Sequence, residues 1–196
     1  KGDLANKAPH RDRVVVLRAP FAGSPAEVFK TEWRFGGMTF TEKGAVLATE
    51  SDRATRMRRT WVYETGLSAA PRKVWEQLQE DRYRDPGFPV VRPGTSKAMQ
   101  VGDAVYLQGA GASPDGDRPF LDRFNLKTLA SERVWQSDTE SYESIVAILD
   151  DGATKVITRR ETKAIPPNYL TRDLGARTSR AITSFAPQRV ASSTSR

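Results

Sequence analysis

The chain has 196 residues, 38% of them apolar and 28% charged, which fits one folded domain or a large piece of one and lies outside the disordered class. No apolar run approaches the ~18 residues of a membrane-spanning helix, and the lack of cysteine removes disulfides, thiol catalysis and thiolate metal sites. Thirty-one Lys and Arg against 24 Asp and Glu give +7. Acids such as Glu50, Asp52, Glu64 and Glu76 nevertheless intersperse the basic stripe Arg53, Arg56, Arg58 and Arg59, with no nucleic-acid motif, so neither nucleic acid nor membrane is an expected partner.

Two strands are predicted first, Arg13–Arg18 and Ala26–Thr31, joined by the turn residues Ala22-Gly23-Ser24-Pro25. Four follow over Arg34–Phe40, Ala45–Glu50, Arg59–Glu64 and Arg72–Glu76, the third alternating through Thr60, Trp61, Val62 and Tyr63 as a half-buried strand does. The next set is Phe88–Arg92, Ala104–Gln108, Leu121–Leu126 and Glu132–Gln136, widened by a breaker-rich loop from Gly109 to Asp117. A last set runs over Ser144–Asp150, Lys155–Arg160, Asn168–Leu174 and Arg180–Phe185, punctuated by Asp150-Asp151-Gly152 and Pro166-Pro167-Asn168. The small, polar tail is expected to be disordered.

A short motif recurs in the closing strand of each set: Ala26-Glu27-Val28-Phe29-Lys30, Arg72-Lys73-Val74-Trp75-Glu76, Glu132-Arg133-Val134-Trp135-Gln136 and, more weakly, Arg180-Ala181-Ile182-Thr183-Ser184. Val28, Val74, Val134 and Ile182 stand 46, 60 and 48 residues apart, the spacing of propeller blades. The expected fold is therefore all-β: a partial β-propeller of about three four-stranded antiparallel blades plus the last two strands of a preceding blade. The units run 1–31, 32–77, 78–137 and 138–186, with 187–196 as tail. Half a blade plus three does not close a ring, and bare blade faces need caps, so partner segments are implied. Lys1 stands where an initiator methionine would, so the natural start is expected upstream.

Catalytic constellations are missing from this pattern. His10 is the only imidazole and lies near the N-terminus, too isolated to serve a Ser-His-Asp triad. Gly111-Ala112-Ser113-Pro114-Asp115-Gly116 begins like a nucleophile elbow but carries proline and aspartate where an elbow cannot, so it reads as a turn. The pairs Asp81 with Asp85 and Asp150 with Asp151 lack calcium-loop spacing and suit turns. Trp33, Trp61, Trp75 and Trp135 suit packing better than ligand stacking. No catalytic residue, metal or cofactor is expected.

Several strings, in order, resemble one family: Pro9-His10-Arg11-Asp12-Arg13, Lys30-Thr31-Glu32-Trp33-Arg34-Phe35-Gly36-Gly37, Ala48-Thr49-Glu50-Ser51-Asp52-Arg53, Arg58-Arg59-Thr60-Trp61, Gln79 to Gly87, Gly109 to Arg123, Trp135 to Asp138 and Pro166-Pro167-Asn168-Tyr169. They look like the propeller of prolyl-oligopeptidase-family serine peptidases, closest to the glutamyl endopeptidase-like branch of bacteria and plant plastids. The resemblance implies a parent with further blades and a C-terminal α/β-hydrolase domain holding Ser, Asp and His, absent from this stretch. The propeller would gate peptide access, and the parent would be exported in bacteria or plastid-targeted in plants. A glutamyl-directed enzyme wants a cation near the substrate's acidic side chain. Arg53, Arg58 and Arg59 lie within matching strings and are the substrate-binding candidates. The alternatives are a free-standing propeller module that assembles with other copies or a partner, and a basic nucleic-acid binder.

Overall fold

The computed structural model describes residues 8–65 and 69–187, so the expected disordered tail falls outside the described residues from position 188 onward. Among the described residues there are fifteen strands and no helix. β1 (Asp12–Val16) and β2 (Ala26–Thr31) form a two-stranded sheet. The second sheet is an antiparallel meander of β3 (Arg34–Phe40), β4 (Val46–Asp52), β5 (Met57–Tyr63) and β6 (Arg72–Leu78). In the third, β9 (Ala104–Gly109), β10 (Phe120–Asn125) and β11 (Ser131–Gln136) follow one another, and both β7 (Phe88–Pro89) and β8 (Gln100–Val101) pair with β9. The fourth is β12 (Tyr142–Ile148), β13 (Lys155–Glu161), β14 (Asn168–Asp173) and β15 (Thr178–Ala181).

Period-two alternation gives each central strand two apolar faces, one for each neighbouring sheet. On β4, Val46 and Ala48 join Tyr63 against Phe29, Phe35 and Trp61, which closes the first sheet onto the second. Leu47, between them, points the other way and packs with Val62, Val105, Leu107 and Phe124, joining the second sheet to the third. On β9, Tyr106 faces away from Val105 and Leu107 and enters a third cluster with Leu121, Ile145, Ile148 and Val156, which joins the third sheet to the fourth. Each fully buried Val, Leu, Ile or Phe among them contributes roughly 1.5–3 kcal/mol relative to exposure. Successive four-stranded antiparallel meanders, each packed on the next through an apolar face, are the repeating unit of a propeller. The chain is a partial β-propeller of three such sheets, with a two-stranded sheet ahead of them.

The repeated motif marks a β-bulge. The register of β1 on β2 skips Val28, that of β5 on β6 skips Val74, and that of β10 on β11 skips Val134. In the fourth sheet the amides of Ile182 and Thr183 both donate to the Tyr169 carbonyl, at 2.8 and 3.3 Å, the same two-against-one arrangement. A bulge adds local twist to the strand, so the motif repeats because each sheet needs the same bend in its last strand.

Three expectations change. The strand Phe88–Arg92 forms regularly only over Phe88–Pro89, because the prolines at 89 and 93 have no amide to donate and Pro93-Gly94 turns the chain out, with Thr95 N donating to Arg92 O at 3.0 Å. The chain returns as β8, which the sequence reading missed, so this sheet has five strands rather than four. The last strand closes earlier than Arg180–Phe185, because the turn after Asp173 sets a register of Asp173 against Thr178 and Leu170 against Ala181.

The loops lie at two ends. At one, the excursion 90–99 pairs Ala98 with the residues after β3 (Ala98 N to Phe40 O, 2.8 Å; Glu42 N to Ala98 O, 3.0 Å). There Arg92 bonds Glu42 of the second sheet and, at 2.8 Å, Asp151 of the fourth. Tyr106 Oη donates to the Asp151 carbonyl at 2.9 Å. This junction end ties three sheets together; the opposite end carries the clefts beside Arg53 and Arg58.

Candidate functional site

Arg58 and Arg59 are consecutive on β5, so their side chains leave opposite faces of the sheet. Arg59 pairs across the ladder with Glu50 and turns toward the first sheet. Its guanidinium carbon sits over the Trp33 ring, 3.5 Å from the centroid, and the guanidinium pairs with Glu50 and Glu32 at 2.9 Å each. The Arg59 side chain is 12% exposed and that of Glu50 is 2% exposed. Glu50 also accepts from the Trp61 indole at 2.8 Å and from the Trp33 amide at 2.9 Å. Burial beside this carboxylate pushes the Tyr63 hydroxyl up to about 12. Two carboxylates already compensate Arg59, and a buried pair of this kind is a structural element.

Arg53 lies beyond the end of β4, exposed at the mouth of a cleft of about 570 Å³ lined by Arg11, Glu32, Trp33, Arg34, Ser51, Asp52 and Ala54. Its side chain makes no hydrogen bond or ion pair among the described residues. Asp52 is held below the usual carboxylate range chiefly by the Thr55 hydroxyl, which donates at 2.6 Å, and so closes its own turn. Arg34 is tied to Asp12 at 3.1 Å.

Arg58 points to the third sheet and borders a different opening, a groove of about 330 Å³. Its floor comes from the ladder row Gly37, Thr49, Thr60 and Trp75, and the facing wall is Pro86 to Pro89. Gly87 makes that wall possible: its φ is +78° and a Cβ there would stand 2.2 Å from the Gln108 carbonyl oxygen. Arg58 Nη2 donates to Asp85 at 3.3 Å and, with the Gln77 amide oxygen turned toward it, to Gln77 at 3.0 Å. The structure thus separates the three arginines that the sequence grouped.

The other sequence candidates serve turns and packing. Ser113 Oγ donates to the Gly116 carbonyl at 2.7 Å in a closed turn. Asp81 accepts from Arg84 N at 3.2 Å, Asp85 from Gly87 N at 3.0 Å and Asp150 from Thr154 N at 2.8 Å. His10 is exposed. Trp75 packs on Phe124 across the sheet interface, centroids 4.7 Å apart, and Trp135 packs on the cluster joining the third and fourth sheets.

The sequence reading missed Arg11 and Arg34 beside Arg53, and Gln77, Thr49 and Thr60 beside Arg58. It also missed the buried Glu143, whose carboxylate accepts from Thr158 Oγ1 at 2.5 Å and Arg172 Nη2 at 2.6 Å. This pairing raises the affinity of Arg172 for its proton. A charged residue alternating with apolar ones in a strand was the only available signal.

No family model matches the chain. It is 35% identical over 189 residues to the Arabidopsis thaliana protein named "Probable glutamyl endopeptidase, chloroplastic", covering 86% of this chain and 20% of that protein. It is 34% identical over 188 residues to the Oryza sativa subsp. japonica protein of the same name, with the same coverage. The chain thus spans about a fifth of the length of these relatives, and the resemblance to glutamyl endopeptidase-like proteins holds along most of it. Among solved structures, TolB from Acinetobacter baumannii aligns with a TM-score of 0.42 and 13% identity, over 82% of this chain and 35% of its own. A Mycobacterium tuberculosis puromycin-hydrolyzing peptidase aligns with 0.33 and 12%, over 76% and 29%.

Proposed function

We propose that this chain, similar to a fifth of glutamyl endopeptidase-like proteins, is part of the propeller of a longer serine peptidase of the prolyl-oligopeptidase type. In this reading it restricts peptide access to an α/β-hydrolase domain elsewhere in the parent. The observation that carries the reading is the 35% identity running through 86% of the chain. The two-stranded sheet is then the end of a preceding blade, and further blades cover the outer sheets, where Val15, Val16, Val146, Leu149 and Tyr169 are exposed. Arg53, which makes no hydrogen bond or ion pair among the described residues, is the candidate for an acidic substrate side chain, and Arg59 holds the blade.

The test compares the intact parent with this chain. The parent is expected to cleave a glutamyl peptide and to react with a fluorophosphonate probe, and the chain to do neither. Hydrolysis by the chain alone, or an intact parent inert to both reagents, overturns the proposal. The exposed outer faces also favour a second reading, a ring assembled from copies of this chain; a strictly monomeric species in sedimentation dismisses it.

A further inference from the structure

We infer that the free edge of β1, together with Met38 and Phe40 of β3, is a strand-acceptor site that takes an antiparallel β-hairpin with an apolar inner face. The inference rests on the reading of the two-stranded sheet as the end of a blade and names what completes it. It concerns binding by this chain, so its outcome is read separately from hydrolysis by the parent.

Three observations carry it. The bulge at Val28 places β2 with β6 and β11, the last strands of their sheets, which skip Val74 and Val134 in the same way. β1 is then a third strand. The third strands β5, β10 and β14 are paired on both edges, whereas β1 pairs with β2 alone among the described residues. The second observation is the chemistry of the edge. The end strands β6, β11 and β15 expose Lys73 and Glu76, Glu132 and Arg133, and Arg180, and such charges discourage further pairing. β1 instead runs from Arg13 into Val14, Val15 and Val16, the last two 44% and 45% exposed.

The third observation is an uncovered patch beside that edge. Met38 pairs with Ala48 and Phe40 with Val46, so both share the face that β4 turns to the first sheet. Ala48 and Val46 are 2% and 1% exposed, but Met38 and Phe40 are 42% and 44% exposed. Their counterparts on β12, Ile145 and Ile148, face the complete third sheet and are 7% and 4% exposed. Two strands added beside β1 would cover Met38 and Phe40 in the same way.

The occupant is a hairpin from a longer chain, and relatives of which this chain spans 20% have the length to supply one. A second copy does not fit. Its β1 and β2 are already backed by its own second sheet, and symmetric antiparallel pairing of two β1 strands would bring both second sheets to one face. The hairpin meets β3 with apolar side chains and β1 with backbone hydrogen bonds.

The probe is a synthetic peptide of residues 34–52, the hairpin that fills these positions in the second sheet. Calorimetric titration of the chain should show saturable binding, and amide hydrogen exchange should show new protection over residues 12–16 and none over β6, β11 or β15. Val15→Lys, which gives β1 a charge like those of the other end strands, and Phe40→Asp should each weaken binding about tenfold. Both positions are exposed, so the thermal midpoint of each variant should stay within about 2 °C of the parent sequence. A peptide carrying Leu47→Pro and Thr49→Pro should not bind, a comparison that needs only the unmodified chain. No saturable binding, equal binding of the proline peptide, or undiminished binding by either folded variant overturns the inference. So do β1 amides already protected in the free monomer, or a dimer in sedimentation that protects them without peptide.

Discussion

The two faces of the second sheet hold the same residue type in opposite circumstances. On the face toward the first sheet, Arg59 is buried between indoles and compensated by Glu50 and Glu32. On the face toward the third, its neighbour Arg58 is partly exposed and paired only with the half-exposed Asp85 among the described residues. A basic stripe in a strand is therefore two populations, and alternation decides which arginine belongs to the core. Arg59, little exposed and paired with two carboxylates, fixes the fold, whereas Arg58, on one long and partly exposed ion pair, is a side chain the fold can spare.

The sharpest way to break this contrast is to remove each arginine and measure stability. Arg59→Met leaves Glu50 buried and uncompensated, which costs about 3–5 kcal/mol. For a chain of this size that lowers the thermal midpoint by about 10 °C. A midpoint within 2 °C of the parent sequence would mean that Glu50 finds enough in the Trp61 and Trp33 donors alone. Trp33→Leu keeps the ion pairs but removes the ring under the guanidinium, and should cost about 1 kcal/mol in the same melt.

This division was only partly legible in the sequence. The strands of the second sheet were, because Thr60-Trp61-Val62-Tyr63 alternates and turn residues bound each run. The spacing of Val28, Val74, Val134 and Ile182 was visible too, but its meaning was not: an unpaired bulge residue and a paired strand residue have the same β-branched chemistry, and only the partner's register separates them. The split of Arg58 from Arg59 followed from alternation alone once the strand was placed, yet grouping by motif hid it. The groove was not legible at all. It depends on Gly37, Thr49 and Thr60, from three strands, falling into one row, and on a loop from the next sheet standing opposite. The break of Phe88–Arg92 could have been read from Pro89 and Pro93-Gly94, whereas the destination of the excursion, the end of β3, is a tertiary fact.

A smaller effect belongs to the junction end. There the Arg92 hydrogen bond, helped by the Gln100 amide, holds the Glu42 carboxyl below its ordinary range against a modest opposing effect of burial. A carboxyl lowered in the folded state contributes stability that is complete above its unfolded pKa of about 4.3 and is lost as pH falls through the folded value. Arg92→Gln should thus narrow its stability deficit between pH 6 and pH 3 in urea melts, by about 1 kcal/mol because the pair is partly exposed. A deficit that does not change with pH would place the role of Arg92 in its contact with the 90–99 excursion instead.

The smallest expected effect is at Arg58. Arg58→Gln removes a monodentate ion pair to Asp85 between partly exposed side chains, and pairs of this kind contribute about 0–1 kcal/mol. Glutamine, though shorter, leaves no buried charge behind, because Asp85 is half exposed and still accepts from the Gly87 amide at 3.0 Å. The thermal midpoint should therefore stay within about 2 °C of the parent sequence. If Arg58→Gln destabilised the chain as much as Arg59→Met, the guanidinium would be a structural clasp between the second and third sheets. A null result in the melt is what a partly exposed, monodentate pair requires, since neither charge is left buried when the other is removed.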